Sequence, residues 1–210
     1  MSRLRVVNLA LPKTGTTTLT DALRQAGLTV ADWKIRPGQS SRSDIPRQHL
    51  GKVIYEDYFA SGDPLARLDE FDVINEMSAV RQDRSLWPQT DWGLISAIAA
   101  HHPGVRFILT TRDPAKAANS MMRWNNLGKR RLPQADIPGL PRGFGSTEAE
   151  LARWMAGHYA FCRRVFAGGN FMEYDIEDAD APEKIGSYLG LDLPWWGQSN
   201  MGKPQAQEAD

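Results

Sequence analysis

The chain has 210 residues, 41% hydrophobic and 24% charged, with 25 Lys and Arg balanced by 25 Asp and Glu. That length supports one domain with a substantial core, spanning residues 1–210. The charge balance argues against nucleic acid or an anionic membrane as partner. A single cysteine, Cys162, excludes an internal disulfide framework. No apolar run approaches the roughly 18 residues of a spanning helix, and Val6–Leu11 is too short for a signal-peptide core. Together these features read as a cytoplasmic protein.

In chain order, Arg5–Ala10 is a short apolar strand, and a helix follows from about Thr17 to Ala26 with Gly27 as its stop. Leu28–Ala31 reads as a second strand, Arg36–Pro46 as polar loop, and Lys52–Tyr55 and Asp72–Asn75 as short strands. Asp91–His102 has helical spacing. Val105–Thr111 is the clearest buried strand, after which Asp113 caps a helix that starts at Pro114 and runs to about Trp124. Residues 125–147, rich in Arg, Lys, Pro and Gly, read as a mobile basic loop rather than a helix, serving as a solvated excursion, a lid, or a basic segment that attracts an acidic ligand. Glu148–Phe166 is a long helix, Asn170–Tyr174 a last strand and Pro182–Leu189 a short helix. Strands separated by helices predict an α/β fold: three αβα layers around a central parallel sheet.

Two stretches carry chemistry. The first is the loop after strand one, Pro12-Lys13-Thr14-Gly15-Thr16-Thr17-Thr18. A helix N-terminus behind a Gly-containing loop, with a lysine and hydroxyls, is suited to holding a phosphate. It departs from the nucleotide-triphosphate pattern G-x-x-x-x-G-K-[ST] in two ways. Ala10 stands at the first glycine, and Lys13 precedes Gly15 instead of following it. The second stretch is the end of the buried strand, Thr111-Arg112-Asp113-Pro114, continuing to Ser120. Ligands of open α/β sheets sit beyond the carboxyl ends of strands, so Lys13 and Arg112 offer two separate anion-binding sets. Ser120 lies about two turns along the following helix, roughly 10–12 Å by helix rise. It shares a phosphate with Arg112 only if the chain bends back before that helix. Without this context Lys13 would be a solvated turn residue, and Arg112 a strand-end charge paired with Asp113.

Pro12–Thr17 resembles the 5′-phosphosulfate loop of the sulfotransferases, and Arg112 with Ser120 resembles their 3′-phosphate motif. Phe71–Glu76 is similar to the family segment that ends in an acidic residue near the acceptor. Phe171–Asp175, Tyr188–Leu191 and Asn200 resemble the C-terminal part of small bacterial-type members. Residues 34–70 and 125–147 have no clear counterpart. The resemblance implies a P-loop NTPase-like fold and 3′-phosphoadenosine 5′-phosphosulfate (PAPS) as donor, with 3′-phosphoadenosine 5′-phosphate (PAP) as product and no metal. It also implies a small-molecule or glycan acceptor bearing a hydroxyl or amine.

On this resemblance Lys13 serves the leaving phosphate, Thr16, Thr17 and Thr18 the 5′-phosphate, and Arg112 and Ser120 the 3′-phosphate. Asn200 and Lys203 would fold over the nucleotide, although a frayed tail explains them nearly as well. A hydroxyl acceptor needs a general base. Glu76 is the first choice, with His49, Glu56 and Asp57 as competitors. His101 and His102 close a helix, and His158 falls on an apolar stripe, which suits structural roles. Trp33, Trp87 and Trp92 would line an acceptor pocket or belong to the core. A P-loop kinase using ATP and a non-catalytic nucleotide-binding protein are the alternative functions. The sequence leaves the oligomeric state open.

Overall fold

Alternating apolar positions build a sheet that is buried on both faces. The computed structural model describes residues 5–81 and 83–197. Its elements in chain order are β1 (Val6–Asn8), α1 (Thr16–Gln25), β2 (Val30–Ala31), α2 (Leu50–Ser61), β3 (Val73–Ile74), β4 (Ala79–Arg81) and β5 (Arg84–Leu86), then α3 (Trp92–His101), β6 (Arg106–Thr111), α4 (Pro114–Arg123), α5 (Glu148–Val165), β7 (Phe171–Asp175) and α6 (Ala181–Leu189). Five strands form one sheet in the order β2-β3-β1-β6-β7, and every pairing in it is parallel.

Period-2 alternation divides the side chains between two cores. Val6, Val73 and Ile108 pack with Leu19 and Leu23 of α1 and Ile185 and Leu189 of α6. Val7, Ile74, Phe107 and Leu109 pack on the other face against α2, α3, α4 and α5. The result is the three-layer α/β arrangement that the strand–helix alternation predicts. No helix among the described residues is long and apolar enough to cross a membrane.

Two expectations need correction. Lys52–Tyr55 is not a strand but the first half of α2. Leu50, Val53, Ile54 and Asp57 recur at helical spacing and are all buried, so the wider period overrides the β-branched pair Val53-Ile54. Gly62, at φ 81°, ends that helix in the left-handed region glycine tolerates. Residues 125–147 are not irregular throughout: a π-helical turn forms at Leu127–Arg131. Leu127, Leu132, Ala135, Ile137 and Leu140 enter the core, and Trp154 Nε1 donates to the Pro138 carbonyl at 3.0 Å. The antiparallel hairpin β4–β5, paired from Ala79↔Leu86 to Arg81↔Arg84, has no counterpart in the sequence reading.

Candidate functional site

The strand order lines up chemistry along one edge of the sheet. Reading across it, the chain leaves β2 at Asp32 and Trp33, β3 at Asn75 and Glu76, β1 toward Lys13, β6 at Arg112, and β7 at Ile176 and Glu177. The carboxyl ends of a parallel sheet are where such folds gather their ligands. A cavity of about 650 Å³ opens there, within the range of small-molecule sites.

The loop at Lys13 is shaped by its backbone. Lys13 has φ 71° and Gly15 φ 102°, both in the left-handed region. A side chain at residue 15 would also run into Ile176, so glycine is required there twice over. Gly15 is the N-cap of α1 and supplies no side-chain cap, leaving the helix start turned to the cavity, where Thr16 and Thr17 line it. Thr14 turns inward instead, its hydroxyl donating to the Leu11 carbonyl at 2.8 Å. Thr18 is buried and does not line the cavity.

The Lys13 ammonium sits 3.6 Å from the centroid of the Trp124 ring, an indole that favours a cation over its face. Burial holds the Lys13 pKa below its usual value, with Arg112 adding to the shift and Glu76 opposing it. Glu76 lies on the other side of the loop. Its carboxylate accepts from Thr16 Oγ1 at 2.8 Å and Ser78 Oγ at 2.6 Å. Burial pushes its pKa up, Asp32 adds to that, and the two hydroxyls and Lys13 oppose it.

Arg112 is partly buried and donates from Nε to Glu177 at 3.1 Å, not to Asp113. Asp113 caps α4 by accepting from the Lys116 N–H at 2.9 Å. Among the described residues the two Nη groups of Arg112 make no hydrogen bond, so its planar fork stays available to an oxyanion. Ser120 lines the same cavity as Arg112, so the chain does bring both to one space.

His49 also reaches the cavity, as N-cap of α2, with its ring 5.6 Å from that of Trp33. Its Nδ1 is buried without a hydrogen-bond partner. Burial, with Arg81, Arg84 and Lys34 nearby, holds its pKa below the usual value. The two other candidate bases are engaged elsewhere: Arg67 pairs with Glu56 at 3.0 Å and also with Asp57. His102 pairs with Asp63 at 2.8 Å. His158 Nε2 donates to the Leu9 carbonyl at 2.7 Å, which fixes a tautomer and pins the end of β1. Trp33 lines the cavity, whereas Trp87 is buried edge-on against Trp154 in the core.

The profile of the sulfotransferase domain family matches residues 5–201, from the first strand to beyond the last helix. The chain belongs to the sulfotransferase domain family. Sulfuryl transfer is therefore its reaction class, and the chain is a transferase. No curated protein matches it.

Within this sulfotransferase domain, Pro12, Lys13, Gly15, Thr16, Thr17, Arg112 and Ser120 meet Glu76 and His49 in one cavity. Asn200 and Lys203 lie outside the described residues. Asp32 and Trp124 line the cavity without a role in the sequence reading, Arg131 entered it only as part of the basic segment, and Glu177, outside the cavity lining, pairs with Arg112. Asp32 and Glu177 follow strand ends, so the strand-end rule would have found them. Trp124 and Arg131 reach the site through the fold of the segment after α4, which has no motif to mark it. A second cavity of about 600 Å³, mostly apolar, lies between α5 and the loop around Pro138 and Phe144. Neither Lys13 nor Arg112 lines it.

Proposed function

We propose that the cavity binds PAPS and that the domain transfers its sulfuryl group to a hydroxyl or amine of a small-molecule or glycan acceptor. The observation that carries this reading is that Lys13 and Arg112, in the loops that follow the neighbouring strands β1 and β6, line one cavity. Two cations on separate strand ends, each with hydroxyl groups beside it, suit a ligand with anionic groups on both sides of a nucleoside. Lys13, Thr16, Thr17 and the start of α1 would hold the phosphosulfate side. Arg112 and Ser120 would hold the 3′-phosphate.

When bound, PAPS supplies the sulfuryl group and a phosphate that leaves with the electron pair of the broken sulfur–oxygen bond. The chain supplies position and charge. Lys13 is partly withdrawn from water over Trp124, so its positive charge is less screened than at a surface. Glu76 stands across the loop from it and takes the acceptor proton, which then passes to solvent. The bond from Thr16 to Glu76 couples the base to the phosphate-holding turn. We place the protein in the cytoplasm, with its lone thiol at Cys162 buried and its pKa pushed up to about 12, which makes it inert.

Isothermal titration with PAP, using ATP–Mg²⁺ as control, tests the reading. PAP should bind and ATP–Mg²⁺ should not compete. Lys13→Ala and Arg112→Ala should each weaken PAP by about tenfold to a hundredfold, the worth of a charge-assisted contact. Tight ATP binding with none for PAP would turn the assignment to a kinase.

A further inference from the structure

Lys13 divides the cavity. Arg112 and Ser120 lie toward β6, and the side toward β2 and β3 is cationic as well. Arg36 follows β2, Arg81 ends β4, and Arg131 closes the π-helical turn; all three line the cavity. Arg131 reaches the backbone beside Arg81, its Nη1 lying 3.5 Å from the Val80 carbonyl. The Arg131 Nε is buried with no hydrogen-bond partner. Among the described residues, none of these three arginines forms an ion pair, whereas Lys52, Arg67, Arg112, Arg163 and Lys184 do.

Two carboxylates share this side, and neither forms an ion pair with these arginines. Asp32 accepts from the Trp33 N–H at 2.8 Å, and burial favours its neutral form. Glu76 is taken up by Thr16 and Ser78. Burial is the first cause that holds the His49 pKa down, and Arg81, Arg84 and Lys34 add to it. A cationic cluster of this kind in a chain of zero formal net charge is a local arrangement, not a by-product of composition. A partly buried guanidinium with an unsatisfied N–H is costly to hold unless an anion completes it.

We propose that the acceptor carries an oxyanion, a carboxylate or a phosphate, which binds at Arg81 and Arg131 beside the group that is sulfated. The inference rests on the donor assignment above, since PAPS must fill the Lys13–Arg112 side for this side to remain for the acceptor. Arg36 and Arg81 are exposed and draw the anion in toward the partly buried Arg131. The paired N–H groups of arginine fit either oxyanion, and a neutral acceptor would leave them unsatisfied.

The test is calorimetric titration of the PAP-saturated protein with inorganic phosphate and, separately, with acetate at constant ionic strength. At least one probe should show a single saturable site, and the better probe identifies the acceptor's anionic group. Arg81→Gln/Arg131→Gln should weaken that site by about tenfold or more while PAP affinity stays within about twofold, which also shows that the variant folds. If neither probe binds saturably, or the site survives the double variant, the inference is wrong while the donor assignment stands. If the wild-type protein fails to bind PAP, the donor assignment itself falls and takes the inference with it.

Discussion

Glu76 and Lys13 have opposite charge requirements in the proposed reaction, and the cavity moves their titrations toward each other. Glu76 must be ionised to accept a proton, and burial raises its pKa above the ordinary 4.5. Lys13 must be protonated to stabilise negative charge, and burial lowers its pKa below the ordinary 10.5. The pH profile of kcat/KM should therefore be a bell narrower than those two values would give, its acidic limb set by Glu76 and its alkaline limb by Lys13. Glu76→Gln should remove the acidic limb and lower turnover while PAP still binds. If His49→Gln removes that limb and Glu76→Gln does not, His49 is the base, and its unpartnered Nδ1 would be the accepting atom. Stability carries the same sign. A carboxyl with a raised folded pKa makes the native state bind more protons than the unfolded chain. Its contribution is present below the unfolded pKa and is lost as pH rises through the folded one. Glu76→Gln should flatten that decline in urea melts.

Between the residues and the sheet lies a buried polar ladder that sets where the site residues stand. Asn8 of β1 donates to Asn75 Oδ1 at 2.7 Å and to Thr110 Oγ1 of β6 at 3.1 Å. Thr110 donates on to the Tyr174 hydroxyl of β7 at 2.9 Å. Asn75 also donates to the Thr16 carbonyl at 2.7 Å and to Thr20 Oγ1 at 2.6 Å, tying the first turn of α1 to the end of β3. Asn75→Ala breaks these bonds and leaves buried partners unsatisfied, at a cost of about 2–4 kcal/mol. Urea denaturation should show that loss, and PAP titration of the folded variant should show weaker binding because the Thr16 turn is released.

The ladder also marks where sequence reading succeeds and fails. β1, β6 and the helices α1, α4 and α5 were legible because their periods and caps are local, as at Asp113, which signals its own helix start. The loops at Lys13 and Arg112 were legible because backbone conformation and charge are written in consecutive residues. Lys52–Tyr55 misled because a four-residue window shows two β-branched side chains and not the twelve-residue helix around them. The β4 and β5 strands are three residues each, too short to show a period, and are defined by pairing instead of by pattern. The placement of Arg131 and Trp124 is a tertiary property, set by where Leu127 and Leu132 are buried.

At the scale of the whole molecule, the proposed donor bridges the central strand of the sheet and its neighbour, since β1 lies directly beside β6. Those strands contribute Val6 and Ile108 to one core and Val7, Phe107 and Leu109 to the other, so β1 and β6 are common to both layers of the fold. A ligand that clamps the Lys13 loop to the Arg112 end should thus stabilise the entire domain, not a peripheral loop. By mass action, PAP at a hundred times its Kd adds about 2.7 kcal/mol, which for a domain of this size corresponds to a Tm rise of roughly 5–10 °C. Differential scanning calorimetry should show one transition moving upward as a unit with PAP. The same concentration of ATP–Mg²⁺ should leave it in place. Lys13→Ala and Arg112→Ala, each holding only one end of the ligand, should lose about half of the shift or more even where the ligand-free Tm is unchanged. A second transition that PAP does not move would mean that the two ends of the site belong to regions that unfold separately, contrary to the shared sheet that places Lys13 next to Arg112.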